Sequence, residues 1–183
     1  MAGALGSFEG TNQSLSNMRP INDLRDLMIE QLRDLYHGEA HIFNELNDLP
    51  SKISDDGLRK VVSAYIEAHD NQIMRVRQVF DLQFEQKRGE VCEPIIAMVH
   101  QVESLIKRCM DPQVRDAALV TALQHIMHYK IAGYGAATTY AKELGFLEEA
   151  RILHENLLEE KQFDRKLALL ADSVINLRAM DAI

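Results

Sequence analysis

Four ionisable residues interrupt the apolar stripes of the long helical patterns in this 183-residue chain: Glu39, His69, Lys130 and Glu160. Each lies near the middle of its helical pattern, with apolar stripe residues on either side of it along the helix. Burying a charge is costly unless the charge is paired or binds a metal. The pattern therefore predicts one polar cluster inside a helical bundle.

Two arrangements of this cluster make chemical sense. In the first, Glu39 and Glu160, with Asp164 and His69 as further candidates, bind iron or another divalent metal, which needs hard anionic ligands. In the second, the ammonium group of Lys130 takes the place of the cation between Glu39 and Glu160 as a buried ion network. A protonated lysine is a poor iron ligand, and its charge repels a metal. A plainer alternative is that one or two of these residues lie at the edge of a stripe and extend into water.

The apolar periodicity predicts four long helices and one shorter helix to position these residues. Asp111 and Pro112 are a typical helix start, and Gly145 is a typical left-handed helix stop. Helices of about 30 residues are about 40 Å long, which suits a bundle, and a short helix after the second indicates a crossover. We predict an all-α, ferritin-like four-helix bundle with an additional short crossover helix. The predicted helices are about 22–48, 55–86, 93–109, 112–144 and 147–174.

The composition fits one domain over residues 21–183. Residues 1–20 are rich in Gly, Ser and Asn without periodicity, so we expect a flexible or docking N-terminal segment, either native or added. The formal net charge of -8 argues against nucleic acid and anionic membrane partners. No apolar run is long enough to cross a bilayer, and Cys92 and Cys109 form no CxxC motif, so a reduced, cytoplasmic protein is expected.

Weaker constellations do not change this interpretation. The pairs His37 with His41 and His125 with His128 each lie within one helical turn, a spacing that can bind zinc, although surface or interface histidines are the commoner explanation. No Ser-His-Asp arrangement or glycine-rich phosphate loop is visible. We therefore predict no catalytic residues and no cofactor-binding residues.

Several stretches of the chain carry a family resemblance; they are 35–39, 65–67, 72–73, 115–119, 128–135, 158–162 and position 164. The chain resembles the YciF/YciE-like bacterial stress proteins, a ferritin-like family without an established activity. The resemblance covers about residues 21–171 in the same order and spacing. It implies a dimeric bundle with a candidate metal site between the helices.

The chain departs from the family pattern at the candidate metal site. Relatives commonly carry a histidine at position 65, a glutamate at position 68 and acidic residues at positions 127 and 130. This chain has Tyr65, Ala68, Met127 and Lys130 there. His69 stands where relatives often have threonine. The resemblance thus implies a member whose metal centre is dismantled, with Lys130 in the metal position.

We accordingly expect a non-catalytic, stress-associated homodimer with no bound cofactor and a core held by Glu39, Lys130 and Glu160. The alternative is an iron-binding or other divalent-metal-binding protein, or an oxidase, which uses the residual carboxylates. In that case Glu39, Glu160, Asp164 and His69 are the candidate metal ligands.

Overall fold

The computed structural model describes residues 19–182, and the N-terminal segment expected over residues 1–20 lies outside that range except for its last two residues. No strand occurs between residues 19 and 182. A 3-10 turn at Leu49–Lys52 follows the first helix, and a π-type turn at Ala171–Ile175 follows the fifth. The helices are α1 (Leu24–Leu46), α2 (Asp56–Leu82), α3 (Glu93–Arg108), α4 (Pro112–Glu143), α5 (Leu147–Leu170) and α6 (Asn176–Met180).

Helices α1, α2, α4 and α5 form a four-helix bundle. Helix α1 packs against α2 and α4, and α5 packs against the same two helices from the opposite corner. Ser54, before α2, donates its backbone N–H to Asp116 at the start of α4 at 3.1 Å, so α2 and α4 start at the same end of the bundle. Helix α3 is part of the crossover between them and packs against α1 and α4. The predicted bundle with a short crossover helix is confirmed.

Apolar stripes at helical spacing build the core, as the sequence predicts. The buried side chains form two hydrophobic clusters, one containing Ile42 and Ile66 and the other containing Leu35 and Val76. In α1 the boundary between the two clusters falls at Glu39, which lies between Leu35 and Ile42. The polar residues predicted to be buried therefore stand where one apolar cluster gives way to the other.

Both ends of α4 follow the predicted capping chemistry. Asp111 accepts the backbone N–H groups of Gln113 and Val114 at 2.8 and 3.0 Å, which satisfies two free donors at the start of α4. Gly145 ends α4 in the left-handed conformation with φ +76°. Phe146 then donates its backbone N–H to the carbonyl of Ala141 at 2.8 Å, as in a Schellman motif.

Two predicted boundaries were wrong. Helix α2 ends at Leu82 rather than near residue 86, because Phe84 adopts φ +54° and Glu85 donates its backbone N–H to the carbonyl of Phe80. A non-glycine residue thus closes this helix in a left-handed conformation, which the sequence pattern does not signal. The second boundary is that of the last predicted helix: helical structure continues past the predicted stop at residue 174 into α6.

Over residues 19–182, none of the helices combines the length and the apolar character that crossing a membrane requires.

Candidate functional site: a buried ion cluster

Each of the four long helices contributes to one polar cluster in the bundle core. Glu39 comes from α1, His69 and Gln72 from α2, Lys130 from α4, and Glu160 from α5. We call these five residues the central cluster. Lys130 is 2% exposed and the other four are 0% exposed. The prediction of a polar cluster inside the bundle is confirmed, and the alternative of side chains that reach water at a stripe edge is wrong.

Lys130 lies at the centre of the cluster. Its Nζ atom is 2.7 Å from Oε1 of Glu160, 2.9 Å from Oε2 of Glu39 and 3.0 Å from Oε1 of Gln72. An ammonium group has three N–H donors and no acceptor. Every donor of Lys130 therefore has an oxygen acceptor, two of them carboxylates, although the group is removed from water.

Glu39 is the ionised partner of this lysine. Its Oε1 accepts the hydroxyl of Tyr134 at 2.6 Å, and its Oε2 also receives a hydrogen bond from Nδ1 of His69. Burial by itself raises the pKa of Glu39, but the charge of Lys130 and the hydrogen bond from His69 outweigh it and lower the pKa to about 2. This carboxylate thus carries a full negative charge with a complete set of donors.

Glu160 differs from Glu39 although it contacts the same ammonium group. Its Oε1 accepts Nε2 of Gln72 at 2.9 Å, and its Oε2 has only a long contact of 3.4 Å with the hydroxyl of Tyr65. Burial and the negative charge of Glu39 raise the pKa of Glu160 despite the presence of Lys130. Of the two carboxyl groups, Glu160 is the one that holds a proton more readily.

His69 completes the cluster as a neutral imidazole. Burial and the nearby ammonium of Lys130 lower its pKa, so the ring holds one proton. We assign this proton to Nδ1, because Nδ1 faces the acceptor Oε2 of Glu39. The Nε2 atom is buried and has no hydrogen-bond partner among the described residues. The ring packs edge-on against Tyr65 with centroids 4.6 Å apart.

A second set of contacts holds Gln72 in place. Asn156 on α5 donates Nδ2 to the backbone carbonyl of Gln72 at 3.2 Å. Arg75 then donates Nη1 to Oδ1 of Asn156 at 3.0 Å, and Gln72 also donates Nε2 to Glu159 at 3.2 Å. The Gln72 side chain is therefore oriented with its carbonyl towards Lys130 and its amide nitrogen towards Glu160.

Four further residues belong to this site, and of these the sequence argument named only Tyr65, as a departure from the family pattern; the other three are Gln72, Tyr134 and Asn156. Two of them carried a usable signal. Gln72 lies three residues after His69 and Asn156 lies four residues before Glu160, spacings that share a helix face. Tyr65 and Tyr134 look like ordinary core aromatics, because only their hydroxyl groups are polar.

Asp164 does not join the central cluster, contrary to its place among the predicted ligands. Its Oδ1 accepts Nε2 of Gln124 at 2.9 Å and lies 3.2 Å from Nε2 of His128. The side chain of His128 is largely exposed, so this contact lies at the solvent-facing seam between α4 and α5. Position 164 follows Glu160 by four residues, which turns it by about 40° around the helix and away from Lys130.

His37, His41 and Cys92 form local contacts near the crossover. The rings of His37 and His41 stack with centroids 5.9 Å apart, and Nδ1 of His37 accepts the backbone N–H of Cys92 at 3.2 Å. This contact places His37 beneath the crossover. Burial and Asp34 raise the pKa of the Cys92 thiol to about 11, so it stays protonated and is a poor nucleophile.

The central cluster does not fit a metal ion as it is arranged. Among residues 19–182, no group of three or more His, Cys, Asp or Glu side chains is placed to hold one. The nearest carboxylate oxygens of Glu39 and Glu160 both point at the Lys130 ammonium, whose charge repels a second cation. The arrangement can join the four long helices, because the Lys130 ammonium on one helix pairs with acceptors on the other three.

Comparison with known proteins gives the family. A family model described as "Domain of unknown function (DUF892)" matches residues 23–180. Protein YciF of Escherichia coli strain K12 is 34% identical over 164 residues, which cover 89% of this chain and 97% of that protein. The crystal structure of the E. coli stress protein YciF superposes with a TM-score of 0.80 at 30% identity, covering 89% of this chain and 100% of that chain.

A second solved structure is similar to the same extent. YcfI of Rhodopseudomonas palustris, described as a putative structural protein, has a TM-score of 0.79 and 32% identity, with 82% of this chain and 96% of that chain covered. The resemblance expected from the sequence is therefore confirmed. With a family model that matches residues 23–180 and thus nearly all of its helical part, this chain belongs to the DUF892 family.

Proposed function

We propose that the protein is a non-catalytic, ferritin-like bundle protein associated with stress, in which a degenerate metal site has become a structural ion network. Glu39, Lys130 and Glu160 hold this network together. Two relatives support the direction of the proposal, because one is called a stress protein and the other a putative structural protein. No bound metal or organic cofactor is part of the proposal.

One observation carries this proposal: the fully paired ammonium of Lys130 in the bundle core. Its Nζ lies within 3.0 Å of oxygens from α1, α2 and α5, so a single side chain of α4 joins all four helices. Breaking a buried ion pair by removing one partner costs about 3–5 kcal/mol, because the remaining charge is left uncompensated. The network therefore makes the packing of the four helices interdependent.

The stability of Lys130→Met tests the proposal. We expect the free energy of unfolding to fall by about 3–5 kcal/mol, because two buried acids lose their counter-ion. The matched control is Lys142→Met, the same change at an exposed position of the same helix. Equal unfolding midpoints for Lys130→Met and the wild type would contradict the structural role.

Elemental analysis separates this proposal from the alternative of an iron-binding protein or oxidase. The protein is purified without chelator and measured before and after incubation with ferrous iron. We expect no stoichiometric metal in either sample. One or two metal ions per chain that disappear in Glu39→Ala would instead support metal binding by the residual carboxylates.

The homodimer and the cytoplasmic location are also proposals. Light scattering on the purified chain measures its molar mass, and a value near twice the mass of 20.8 kDa would support the dimer. Fractionation of cells that express the protein tests the location.

A further inference from the structure

The outer face of α5 carries three cationic side chains between and beside two exposed leucines. Helix α5 packs against α2 and α4. On its remaining face, Leu158 and Leu169 are 44% and 61% exposed. The exposed cationic side chains are those of Lys161, Arg165 and Lys166. We call these five residues the basic face of α5, and they stand out because the whole chain has a formal net charge of -8.

Helical spacing places the basic face in one stripe. Four of its members repeat every three or four residues, at positions 158, 161, 165 and 169. At 1.5 Å per residue, the two leucines lie about 17 Å apart along the helix, which is about three turns. Lys166 lies at the edge of the stripe, where its Nζ atom is 4.9 Å from the ring centre of Phe163. The stripe is therefore long enough for about three turns of a partner helix to lie along it.

The three cations have no acidic partner among residues 19–182, because the nearby acids of α5 are engaged elsewhere. Oδ1 of Asp164 accepts Nε2 of Gln124 at 2.9 Å and lies 3.2 Å from Nε2 of His128. Oε1 of Glu159 lies 2.8 Å from Nη2 of Arg75 on α2. The basic face thus presents positive charge that the described part of the chain does not neutralise.

Charge complementarity indicates the chemistry of a partner. Lys161 and Arg165 repel each other one turn apart on the same helix, and acidic side chains placed opposite them would relieve this repulsion. The exposed leucines add apolar area that a small anion would leave in contact with water. A helix that bears both acidic and apolar side chains satisfies the two requirements together.

We propose that the basic face of α5 is a docking surface for an acidic amphipathic helix of another protein. Aspartate or glutamate side chains of that helix pair with the three cations, and its apolar side chains pack on Leu158 and Leu169. The surface lies on the outside of the bundle, so its role does not depend on the structural role of Lys130 in the core.

Other occupants fit this surface less well. A two-fold contact with a second copy of the chain would bring the cations of one basic face against those of the other, which is unfavourable. A membrane or a nucleic acid presents a long array of negative charge, and the net charge of -8 opposes such a contact. A short acidic helix needs only the length that the stripe provides.

Titration with a synthetic peptide tests the proposal. The probe is a fluorescent helical peptide of alanine, glutamate and leucine, with its leucines in one stripe and glutamates on both sides of it. Full-length protein is added and the fluorescence anisotropy is measured. We expect saturable binding that weakens as the salt concentration rises, because exposed charges are screened. The same peptide with lysine in place of glutamate should not bind.

Two substitutions in the basic face, each with a matched control, locate the binding. Lys161→Glu should weaken peptide binding by about tenfold, because it removes one attraction and adds one repulsion. Lys107→Glu changes the net charge equally at an exposed position of α3 and should leave the affinity unchanged. Leu158→Ser should also weaken binding, whereas Leu82→Ser, at a leucine of α2 that is 40% exposed, should not. Circular dichroism confirms that each variant is folded.

Three results would overturn the proposal. The first is the absence of saturable binding at peptide concentrations up to about 1 mM, which corresponds to a free energy of binding weaker than about -4 kcal/mol. The second is an equal loss for Lys161→Glu and Lys107→Glu, because the attraction would then depend on net charge alone. The third is tighter binding of phosphatidylserine vesicles or duplex DNA through Lys161, which would assign the basic face to a polyanion instead of a helix.

Discussion

At the middle of the bundle one ammonium group faces two carboxyl groups, whereas at one end of the bundle one carboxylate faces the guanidinium groups of three arginines. In this end cluster, Glu85 accepts Nη1 of Arg25 at 3.3 Å and Nη2 of Arg33 at 3.2 Å. The side chains of Arg25 and Glu85 are 36% and 20% exposed, so water still reaches them, whereas the side chain of Arg33 is 7% exposed. In the central cluster the corresponding side chains are 0–2% exposed.

The difference shows what burial demands of a charged group. In the end cluster, water screens the unmatched positive charge, and an individual pair contributes about 0–1 kcal/mol. In the central cluster no water compensates for a missing partner, so each donor must find an acceptor within the protein. An ion pair of a glutamate is thus a minor surface feature at the end of the bundle and a structural element at its centre.

The largest effect in this comparison should come from Glu39→Gln. The carboxylate of Glu39 accepts hydrogen bonds from three donors, those of Lys130, His69 and Tyr134. An amide at this position turns an N–H group towards at least one of these donors. We expect the free energy of unfolding, measured by urea denaturation, to fall by about 3 kcal/mol.

Glu160→Gln is the matched control inside the same cluster. Both close donors of Glu160, Lys130 and Gln72, contact Oε1, so the oxygen of an amide can replace it. The amide nitrogen then faces the hydroxyl of Tyr65, which can accept a hydrogen bond. We expect a loss below about 1 kcal/mol. Equal losses for Glu39→Gln and Glu160→Gln would contradict the asymmetry between the two carboxyl groups.

Acid should weaken the central cluster through Glu39. Its pKa is about 2 in the folded protein, against 4.5 for an ordinary glutamate. A lowered pKa adds stability that is present above pH 4.5 and is lost as the pH falls towards about 2. Over this window the free energy of unfolding of the wild type should fall more steeply with pH than that of Glu39→Gln. Parallel curves for the two proteins would exclude Glu39 as a source of the acid sensitivity.

Glu85→Gln probes the end cluster with the same chemical change. Its pairs are partly exposed, so we expect a loss of at most about 1 kcal/mol. The loss should shrink in about 1 M salt, where charges are screened beyond about 3 Å. The effect of Glu39→Gln should not shrink, because ions in solution do not reach the core. Loss of the Glu39→Gln effect in salt would remove the distinction between the two clusters.

The smallest effect concerns Phe84, which precedes Glu85 and closes α2. Its side chain is 99% exposed, and its φ of +54° is unfavourable for a residue with a Cβ atom. We expect Phe84→Gly to raise the free energy of unfolding by about 0.5 kcal/mol, since relief of strain is partly offset by the flexibility of glycine in the unfolded chain. The control Gly145→Ala places a Cβ atom at φ +76° and should be destabilising. A thermal midpoint of Phe84→Gly below that of the wild type would show that the left-handed turn is not strained.

Helix periodicity was enough to predict the bundle. The apolar stripes, the cap at Asp111 and the stop at Gly145 depend on neighbours within a turn or two, so they are readable from local sequence. The end of α2 was not readable in this way. Phe84 takes a conformation that its residue type disfavours, and the surrounding structure decides this.

The sequence argument predicted the candidate site only where an ionisable residue stood in an apolar stripe. Glu39, His69, Lys130 and Glu160 satisfied this condition, because an unpaired charge is too costly to bury. Gln72 did not satisfy it, since glutamine carries no charge and is found mostly on protein surfaces. Four helices had to come together before the carbonyl of Gln72 could be seen to complete the coordination of Lys130.

By itself, the sequence determined that the chain forms a helical bundle with charged residues at one level of its core. Only the tertiary structure decided which hydrogen-bond donor pairs with which acceptor. Asp164 contacts Gln124 and His128 instead of Lys130. The pKa of Glu39 is lowered and that of Glu160 is raised. The physical reason is that helix periodicity sets the face of a residue to within a few tens of degrees, whereas hydrogen bonding and desolvation depend on tenths of an ångström between separate helices.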